Sequence, residues 1–139
     1  MENTHIEQIR PDLTWRIRHT AMYPDHPYDA VKLENDADGI HFGLFAADQL
    51  VSVVSLFNEE AVYQFRKFAT LPEYQDKGYG SFLLQHLISY VTALGATMLW
   101  CNARSTAMPF YAKFGFVETD KHFSKSDLEF VIMQLQLNN

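Results

Sequence analysis

The spacing of the hydrophobic residues changes at Gly80, and this change limits the folds that the chain can adopt. From Gly80 to Gly95, apolar side chains recur every three or four residues, which predicts an amphipathic helix ended by a glycine. The apolar positions are Phe82, Leu83, Leu87, Ile88, Val91 and Leu94. The run that follows, residues 96–102, is continuously apolar, which is typical of a strand covered on both faces.

The residues before Gly80 have the spacing of strands around one early helix. Asp12 is placed to cap a helix that runs to about Met22. The apolar face of this helix is predicted to comprise Leu13, Ile17 and Thr20 or Ala21. The predicted strands are residues 4–10, 40–46, 50–57 and 61–69. Residues 47–49 are a short connection, which predicts an antiparallel hairpin between the second and third of these strands.

The end of the chain predicts one more helix and a closing hairpin. Ser105 or Thr106 can cap a helix with Pro109 in its first turn, where a missing N–H costs little, and Gly115 after its end. The closing strands are predicted at 116–123 and 128–137, around a turn at 124–127. Together the elements predict an α+β fold in a single domain, 1–139, with a mixed, mostly antiparallel central sheet flanked by helices.

Charge and cysteine content exclude several classes of protein. Seventeen acidic residues against eleven basic ones give a net charge of −6, so the basic footprint of a nucleic-acid-binding protein is missing. The single cysteine, Cys101, cannot form an internal disulfide, and its apolar strand makes it a core residue rather than a nucleophile. The six histidines lack metal-ligand spacing, so no metal is expected. With no apolar run of about 18 residues, no membrane span is expected, and a cytoplasmic protein is predicted.

Two charged segments each allow two interpretations. Residues 25–38 carry five acidic side chains and one lysine, and form either a solvated loop or an acidic rim that attracts a cationic substrate. Arg16 and Arg18, on the first helix, are either exposed charges or ligands for an acceptor carboxylate.

Residues 75–80, Gln-Asp-Lys-Gly-Tyr-Gly, lie directly between a predicted strand and the amphipathic helix. The N-terminus of a helix exposes unpaired N–H groups and the positive end of the helix dipole, so it can hold a phosphate. The two glycines allow close approach of an anion and φ > 0, and Lys77 adds a positive charge. The loop lacks the Gly-Lys-Ser/Thr of a nucleoside-triphosphate loop, and Leu83 stands where a dinucleotide-binding loop has a small residue.

Together with the residues around it, this loop resembles the GNAT superfamily of N-acetyltransferases. Gln75, Gly78 and Gly80 match the family's Q-x-x-G-x-G element. A later A-x-x-x-Y-x-x-x-G-F element is matched by Ala107, Tyr111, Gly115 and Phe116. The resemblance is close over roughly residues 61–120 and implies the acyl-CoA N-acyltransferase fold, in which the fourth and fifth strands splay apart.

The resemblance also implies a donor, acetyl-CoA, and residues that hold it in the gap between the splayed strands. The pyrophosphate would lie on backbone N–H groups of the loop and the first helical turn. The implied residues there are Gln75, Asp76, Lys77, Gly78, Tyr79, Gly80 and Ser81. The pantetheine arm would add to the edge of the fourth strand at Phe68, Ala69 and Thr70, with Asn102 and Arg104 as further contacts.

The implied reaction is direct attack by the primary amine of a small molecule or peptide on the thioester. A backbone N–H near Phe68 would stabilise the oxyanion, and Tyr111 would be the acid that protonates the departing thiolate. The family often has a glutamate as base where this chain has Gln64. Either water reaching Glu59, Glu60 or His41 takes its place, or an amine that is already neutral needs no base. The alternative is an acyl-CoA-sensing module without turnover. Family analogy also predicts a homodimer, formed through residues 128–137.

Overall fold

The computed structural model describes residues 3–137, which form seven strands and three α-helices. The strands are β1 (Thr4–Ile9), β2 (Ile40–Ala46), β3 (Gln49–Glu59), β4 (Val62–Thr70), β5 (Met98–Arg104), β6 (Val117–Lys125) and β7 (Leu128–Gln136). The helices are α1 (Asp12–Met22), α2 (Tyr79–Ala93) and α3 (Met108–Ala112). None of the helices described is long and apolar enough to cross a membrane.

All seven strands belong to one mixed sheet with the order β1-β2-β3-β4-β5-β7-β6. The pairs β1–β2, β2–β3, β5–β7 and β6–β7 are antiparallel. The parallel ladder between β4 and β5 runs only from Val62–Met98 to Gln64–Trp100, whereas both strands continue beyond it. This sheet with its helices confirms the predicted α+β fold class.

Chain contacts divide the protein into two compact units. The first unit comprises the residues up to Phe57 together with Lys67–Leu87. Its core includes a cluster of Ile17, Val53, Ala69 and Leu71, so α1, β3 and the end of β4 pack together there. The tight turn between β2 and β3 places Ala47 and Asp48 at φ values of +50° and +68°, as a two-residue hairpin requires.

The second unit comprises Asn58–Arg66 and the chain from Ile88 onward. Its buried side chains include Phe65, Leu99, Cys101, Ala103, Tyr111, Phe116, Val131 and Met133. They come from β4, β5, α3 and β7, with Phe116 from the connection between α3 and β6. The prediction that the whole chain is one domain stays a prediction.

Helix α1 starts differently from the sequence prediction. Pro11 already has helical dihedrals (φ −54°, ψ −40°) and precedes the first helical residue, Asp12, whose side chain makes no capping bond. The Asp12 carboxylate instead accepts a hydrogen bond from Arg10. The fully buried residues are Thr14, Ile17 and Arg18, and Ala21 packs against the same core cluster, as predicted for Ile17 and Ala21. Leu13 is exposed, so the predicted cap and the place of Leu13 on the apolar face are wrong.

Two predictions for the second half of the chain also need correction. Strand β5 buries Leu99, Cys101 and Ala103 but exposes the alternate residues Asn102 and Arg104, so it is not covered on both faces. Helix α3 begins after a 3₁₀ turn at Ser105–Ala107, and no side chain caps it. Pro109 does lie in its first turn, as predicted.

Strand β7 does not offer the dimer surface that the sequence suggested. Both of its edges are already hydrogen-bonded, to β5 and to β6. The face of β7 predicted for this contact carries Glu129, Val131, Met133 and Leu135, and of these Val131 and Met133 are buried inside the second unit. Pairing with a neighbour through this strand is therefore wrong, and the homodimer itself stays a prediction without a located surface.

Candidate functional site

The predicted site residues fall into two groups, one in each compact unit. Phe68–Thr70 and Gln75–Ser81 belong to the first unit, whereas Asn102, Arg104 and Tyr111 belong to the second.

The loop between β4 and α2 is held by its own first residue. After a 3₁₀ turn at Pro72–Tyr74, the Gln75 side chain donates from Nε2 to the carbonyl oxygen of Thr70 at 2.9 Å. Asp76 and Gly78 then adopt left-handed φ values of +61° and +89°. Successive amides in such a segment form a concave surface that binds anions.

The amides at the start of α2 are available to a ligand. The first hydrogen bond at the start of α2 runs from the Phe82 amide to the Gly78 carbonyl oxygen at 3.0 Å. The amides of Tyr79, Gly80 and Ser81 precede it and have no carbonyl in the helix to bond. They lie at the positive end of the α2 dipole, so this segment is suited to a phosphate group.

Gly80 lies in the first turn of α2, and its φ is not left-handed. The predicted need for φ > 0 therefore holds for Gly78 and is wrong for Gly80. A Cβ at Gly80 would lie 3.5 Å from Cζ of Phe68 and 3.9 Å from Oγ1 of Thr70, which are ordinary contacts. The missing side chain thus leaves space beside two of the residues predicted to bind pantetheine.

Aromatic rings support the rest of the loop. The rings of Tyr74 and Tyr79 meet edge to face with 5.9 Å between their centroids. The Lys77 ammonium lies 5.9 Å from the centroid of Tyr74. The lysine is exposed, so its charge remains available at the edge of the loop.

Ser52 fixes the end of β4 and was missed by the sequence analysis. Its hydroxyl donates to the Ala69 carbonyl oxygen at 3.1 Å and lies 2.8 Å from Oγ1 of Thr70. The side chain of Ala69 is in the core, so only its backbone can face a ligand. The sequence carried one signal of this role, a serine inside the apolar run of β3. A buried hydroxyl needs a hydrogen-bond partner, so such a serine indicates a polar contact with another part of the chain.

In the second unit, Tyr111 lies in an aromatic cluster. Its ring centroid is 5.8 Å from those of Phe65 and Phe116 and 5.2 Å from that of Phe110. The side chain is 9% exposed, and burial, with a smaller contribution from Cys101, raises the pKa of Tyr111. The phenol is therefore protonated at neutral pH and is a donor, not a base.

The other predicted residues of the second unit lie on β5. Asn102 and Arg104 share its exposed face, opposite Ile132 and Phe130 of β7. Cys101 points to the buried face, and burial raises the pKa of its thiol to about 12. This supports the interpretation of Cys101 as a core residue.

The structure removes one of the three suggested substitutes for a glutamate base. His41 is buried, with Nδ1 2.7 Å from Oγ of Ser55 and Nε2 2.8 Å from the carbonyl oxygen of Asp36. Both ring nitrogens are engaged, so His41 is not available to a substrate. Glu59 and Glu60 are exposed at the turn between β3 and β4, and Gln64 is the last β4 residue paired with β5.

An ion pair inside the first unit settles the roles of Arg18 and Asp36, one residue from each charged segment. For Arg16 and the exposed acidic residues of 25–38 both interpretations stay predictions. Arg18 is fully buried, and its guanidinium donates to both carboxylate oxygens of Asp36 at 2.9 Å. Burial acts to raise the pKa of Asp36, but hydrogen bonds from Arg18, the Leu33 amide and Trp15 outweigh it and lower that pKa. Arg18 is therefore a structural residue, and Asp36 does not belong to an acidic rim.

The described residues, 3–137, contain no group of three or more His, Cys, Asp or Glu side chains that could hold a metal ion.

Comparisons with known proteins agree with this architecture. The model of the acetyltransferase (GNAT) domain family matches residues 12–137. The chain is 32% identical over 127 residues to the N-acetyltransferase YitI of Bacillus subtilis (strain 168), with 85% of each chain covered.

Two solved structures share the fold at low sequence identity. The ribosomal-protein-S18-alanine N-acetyltransferase of Escherichia coli superposes with a TM-score of 0.82 at 20% identity, covering 98% of this chain and 95% of its own. A Bacillus subtilis acetyltransferase solved in complex with CoA gives 0.75 at 19% identity, covering 97% and 99%.

The fold is that of an acyltransferase. The chain belongs to the GNAT acetyltransferase family, whose members use acyl-CoA. This confirms the family resemblance and the enzyme class inferred from the sequence.

Proposed function

We propose that the protein is an acetyl-CoA-dependent N-acetyltransferase that acetylates a primary amine of a small molecule or peptide by direct attack. The observation that carries the proposal is the segment of free amides at Tyr79–Ser81, preceded by left-handed Asp76 and Gly78. Its shape and charge suit the pyrophosphate of CoA. The single reduced cysteine agrees with a cytoplasmic location.

The first unit also supplies other contacts that we propose for the acyl donor, acetyl-CoA. The bare Cα of Gly80 leaves room for pantetheine beside Phe68 and Thr70. Because Ser52 holds Ala69 and Thr70 through their polar atoms, the strand end is rigid before the donor binds. In this proposal Asn102 and Arg104 supply additional polar contacts from β5.

The proposed reaction forms one bond and breaks one. The neutral amine attacks the thioester carbonyl carbon, the negative charge that develops on the oxygen is held by the Phe68 amide, and the C–S bond then breaks. The amine proton leaves through water, with Glu59 or Glu60 as the nearest acceptors in sequence to Gln64. Tyr111 donates its phenolic proton to the departing thiolate and recovers it from solvent.

A sensing module without turnover is the second candidate, and one observation favours it. Gln64 cannot take a proton, and the side chain of His41 is fully engaged. A protein of this kind would bind acyl-CoA and release no thiol when amines are added.

The deciding experiment measures free thiol released from acetyl-CoA in the presence of a panel of primary amines. We expect amine-dependent release by the wild type and none by a folded Gly80→Glu variant. In parallel, CoA should raise the melting temperature and pantetheine, which lacks the pyrophosphate, should do so much less. Stabilisation by CoA without thiol release from any amine would establish the sensing module instead.

A further inference from the structure

Lys67 has a backbone conformation that its place in a strand does not explain. It lies inside β4, between extended neighbours, with a left-handed φ of +54°. A left-handed φ is unfavourable for a non-glycine residue, and residues held in such conformations cluster at functional sites. The residue that follows is Phe68, whose amide is proposed above to hold the thioester carbonyl.

The side chain of Lys67 makes a defined contact with the end of α1. Its ammonium donates to the hydroxyl oxygen of Tyr23 at 2.7 Å and lies 4.6 Å from the centroid of the Tyr23 ring. Because the tyrosine oxygen accepts this bond, its own O–H remains free to donate. Two donors, one of them charged, are thus held side by side.

The charge of Lys67 is not compensated within the described part of the chain. No ion pair there includes its ammonium, although the side chain is half-buried. Lys32 provides the contrast, since it lies 4.6 Å from the Trp15 centroid but also pairs with Asp29 at 2.8 Å. A half-buried cation without an anion is a site where an anionic ligand gains affinity.

We propose that Lys67 and Tyr23 bind a carboxylate of the acceptor, so that the substrate class is amines that also carry a carboxylate. This proposal rests on the proposed function, because it takes the bound molecule to be the acceptor of the acetyl group. It places the carboxylate of that acceptor at Lys67, the residue before Phe68. A carboxylate accepts one hydrogen bond from each donor, whereas an ammonium group at that point would be repelled. Within the acidic segment, Asp36 is paired with Arg18 and Asp29 with Lys32, whereas Asp25, Glu34 and Asp38 are exposed and form no ion pair in the described part of the chain.

The test uses three sets of amines matched in chain length: ω-amino acids, their carboxamides and the corresponding diamines. Each is titrated by calorimetry into the protein saturated with CoA, and kcat and KM are measured with acetyl-CoA. We expect the carboxylates to bind about tenfold or more tightly than the carboxamides, the size expected for a charge-assisted hydrogen bond. The tighter binding of the carboxylates should appear as a lower KM, whereas kcat should change little.

The variants separate the subsite from general effects on the fold. Lys67→Met and Tyr23→Phe should each reduce the carboxylate advantage, Lys67→Arg should retain it, and Lys32→Met, which removes a lysine with a similar ring contact, should leave it unchanged. If Lys67→Met does not fold, Tyr23→Phe carries the test alone. Equal affinity for carboxylates and carboxamides, or a preference for diamines, overturns the subsite.

Failure of the subsite and failure of the proposed function give different results. Thiol release without a carboxylate preference overturns the subsite and leaves the transferase. Carboxylate binding that depends on Lys67, without thiol release from any amine, supports the subsite and overturns the transferase. If carboxylates neither bind nor are acetylated, the subsite is wrong.

Discussion

The side-chain amide of Gln75 donates to the carbonyl oxygen of Thr70 at 2.9 Å, and so joins the first residue of the loop between β4 and α2 to the last residue of β4. The bond sets where the loop leaves the strand, and therefore where the amides of α2 point. Gln75, which the family resemblance predicts to contact the donor, therefore also positions the backbone of this loop.

Replacing Gln75 with Glu should weaken CoA binding about tenfold while the protein remains folded. The variant has nearly the same shape, but it loses the donor to Thr70 and places a negative charge beside the loop. A net hydrogen bond is worth about 0.5–1.5 kcal/mol, which sets the size of the effect. Calorimetric titration with CoA measures it, and Glu73→Gln, an exposed change in the preceding turn, is the control. Unaltered affinity would show that the loop holds its shape without this bond.

Gly80→Ala should stabilise the protein and weaken donor binding at the same time. The Cβ makes only ordinary contacts, and alanine is favoured over glycine in a helix, so the free energy of unfolding should rise by about 0.5 kcal/mol. The same Cβ enters the space proposed for pantetheine, so the Kd for CoA should increase. Urea unfolding and CoA titration of one sample separate the two effects. A variant that is more stable and binds CoA normally would place pantetheine elsewhere.

Asp36→Asn should be strongly destabilising, because it leaves the Arg18 guanidinium buried without its anion. Breaking a buried pair in this way costs about 3–5 kcal/mol. Asp29→Asn is the matched control, since its pair with Lys32 is exposed and should contribute less than about 1 kcal/mol. Equal effects in urea unfolding would contradict the structural role of the buried pair.

Protonation of His86 should lower the stability of the folded protein as the pH falls from 7.5 to 5.5. Burial lowers the pKa of His86 below its usual 6.5, and its ring packs edge to face on Phe42 at 5.2 Å. The unfolded chain then binds the proton more readily than the folded one. Stability is complete above about pH 6.5 and decreases as the pH falls toward the folded-state pKa. His86→Leu should flatten the melting temperature over this range, whereas the exposed His26→Gln should not.

The parts of the fold that sequence predicted well are those specified locally. The helix from Gly80 and the loop before it follow from helical spacing and two glycines, and the hairpin at Ala47-Asp48 follows from the length of its connection. Asp12 was misassigned as a cap because proline at position 11 already sets a helical φ, which overrides the statistical preference of aspartate.

The parts that sequence could not predict depend on contacts between distant residues. Arg18 and Asp36 each look like an exposed charge until the fold brings them together. The same holds for Lys67, whose φ of +54° has no local signature, and for its contact with Tyr23, which lies far away in the chain. The apolar run of β5 was assigned two buried faces because periodicity does not report which face of a strand a helix will cover.

Tyr111→Phe should lower turnover by about 10²–10⁴-fold, the usual contribution of a positioned general acid, while leaving CoA affinity and stability nearly unchanged. The ring keeps its contacts with Phe65 and Phe116, so only the hydroxyl is removed. Because burial raises the pKa of Tyr111, the phenol remains protonated across the assay range. Deprotonation of Tyr111 should therefore not lower the rate of the wild type between pH 7 and about 9. Tyr28→Phe, which removes the hydroxyl of an exposed tyrosine, is the control. A Tyr111→Phe enzyme within about threefold of the wild type, far below the range for a general acid, would leave Tyr111 as a packing residue, and the thiolate would then take its proton from water.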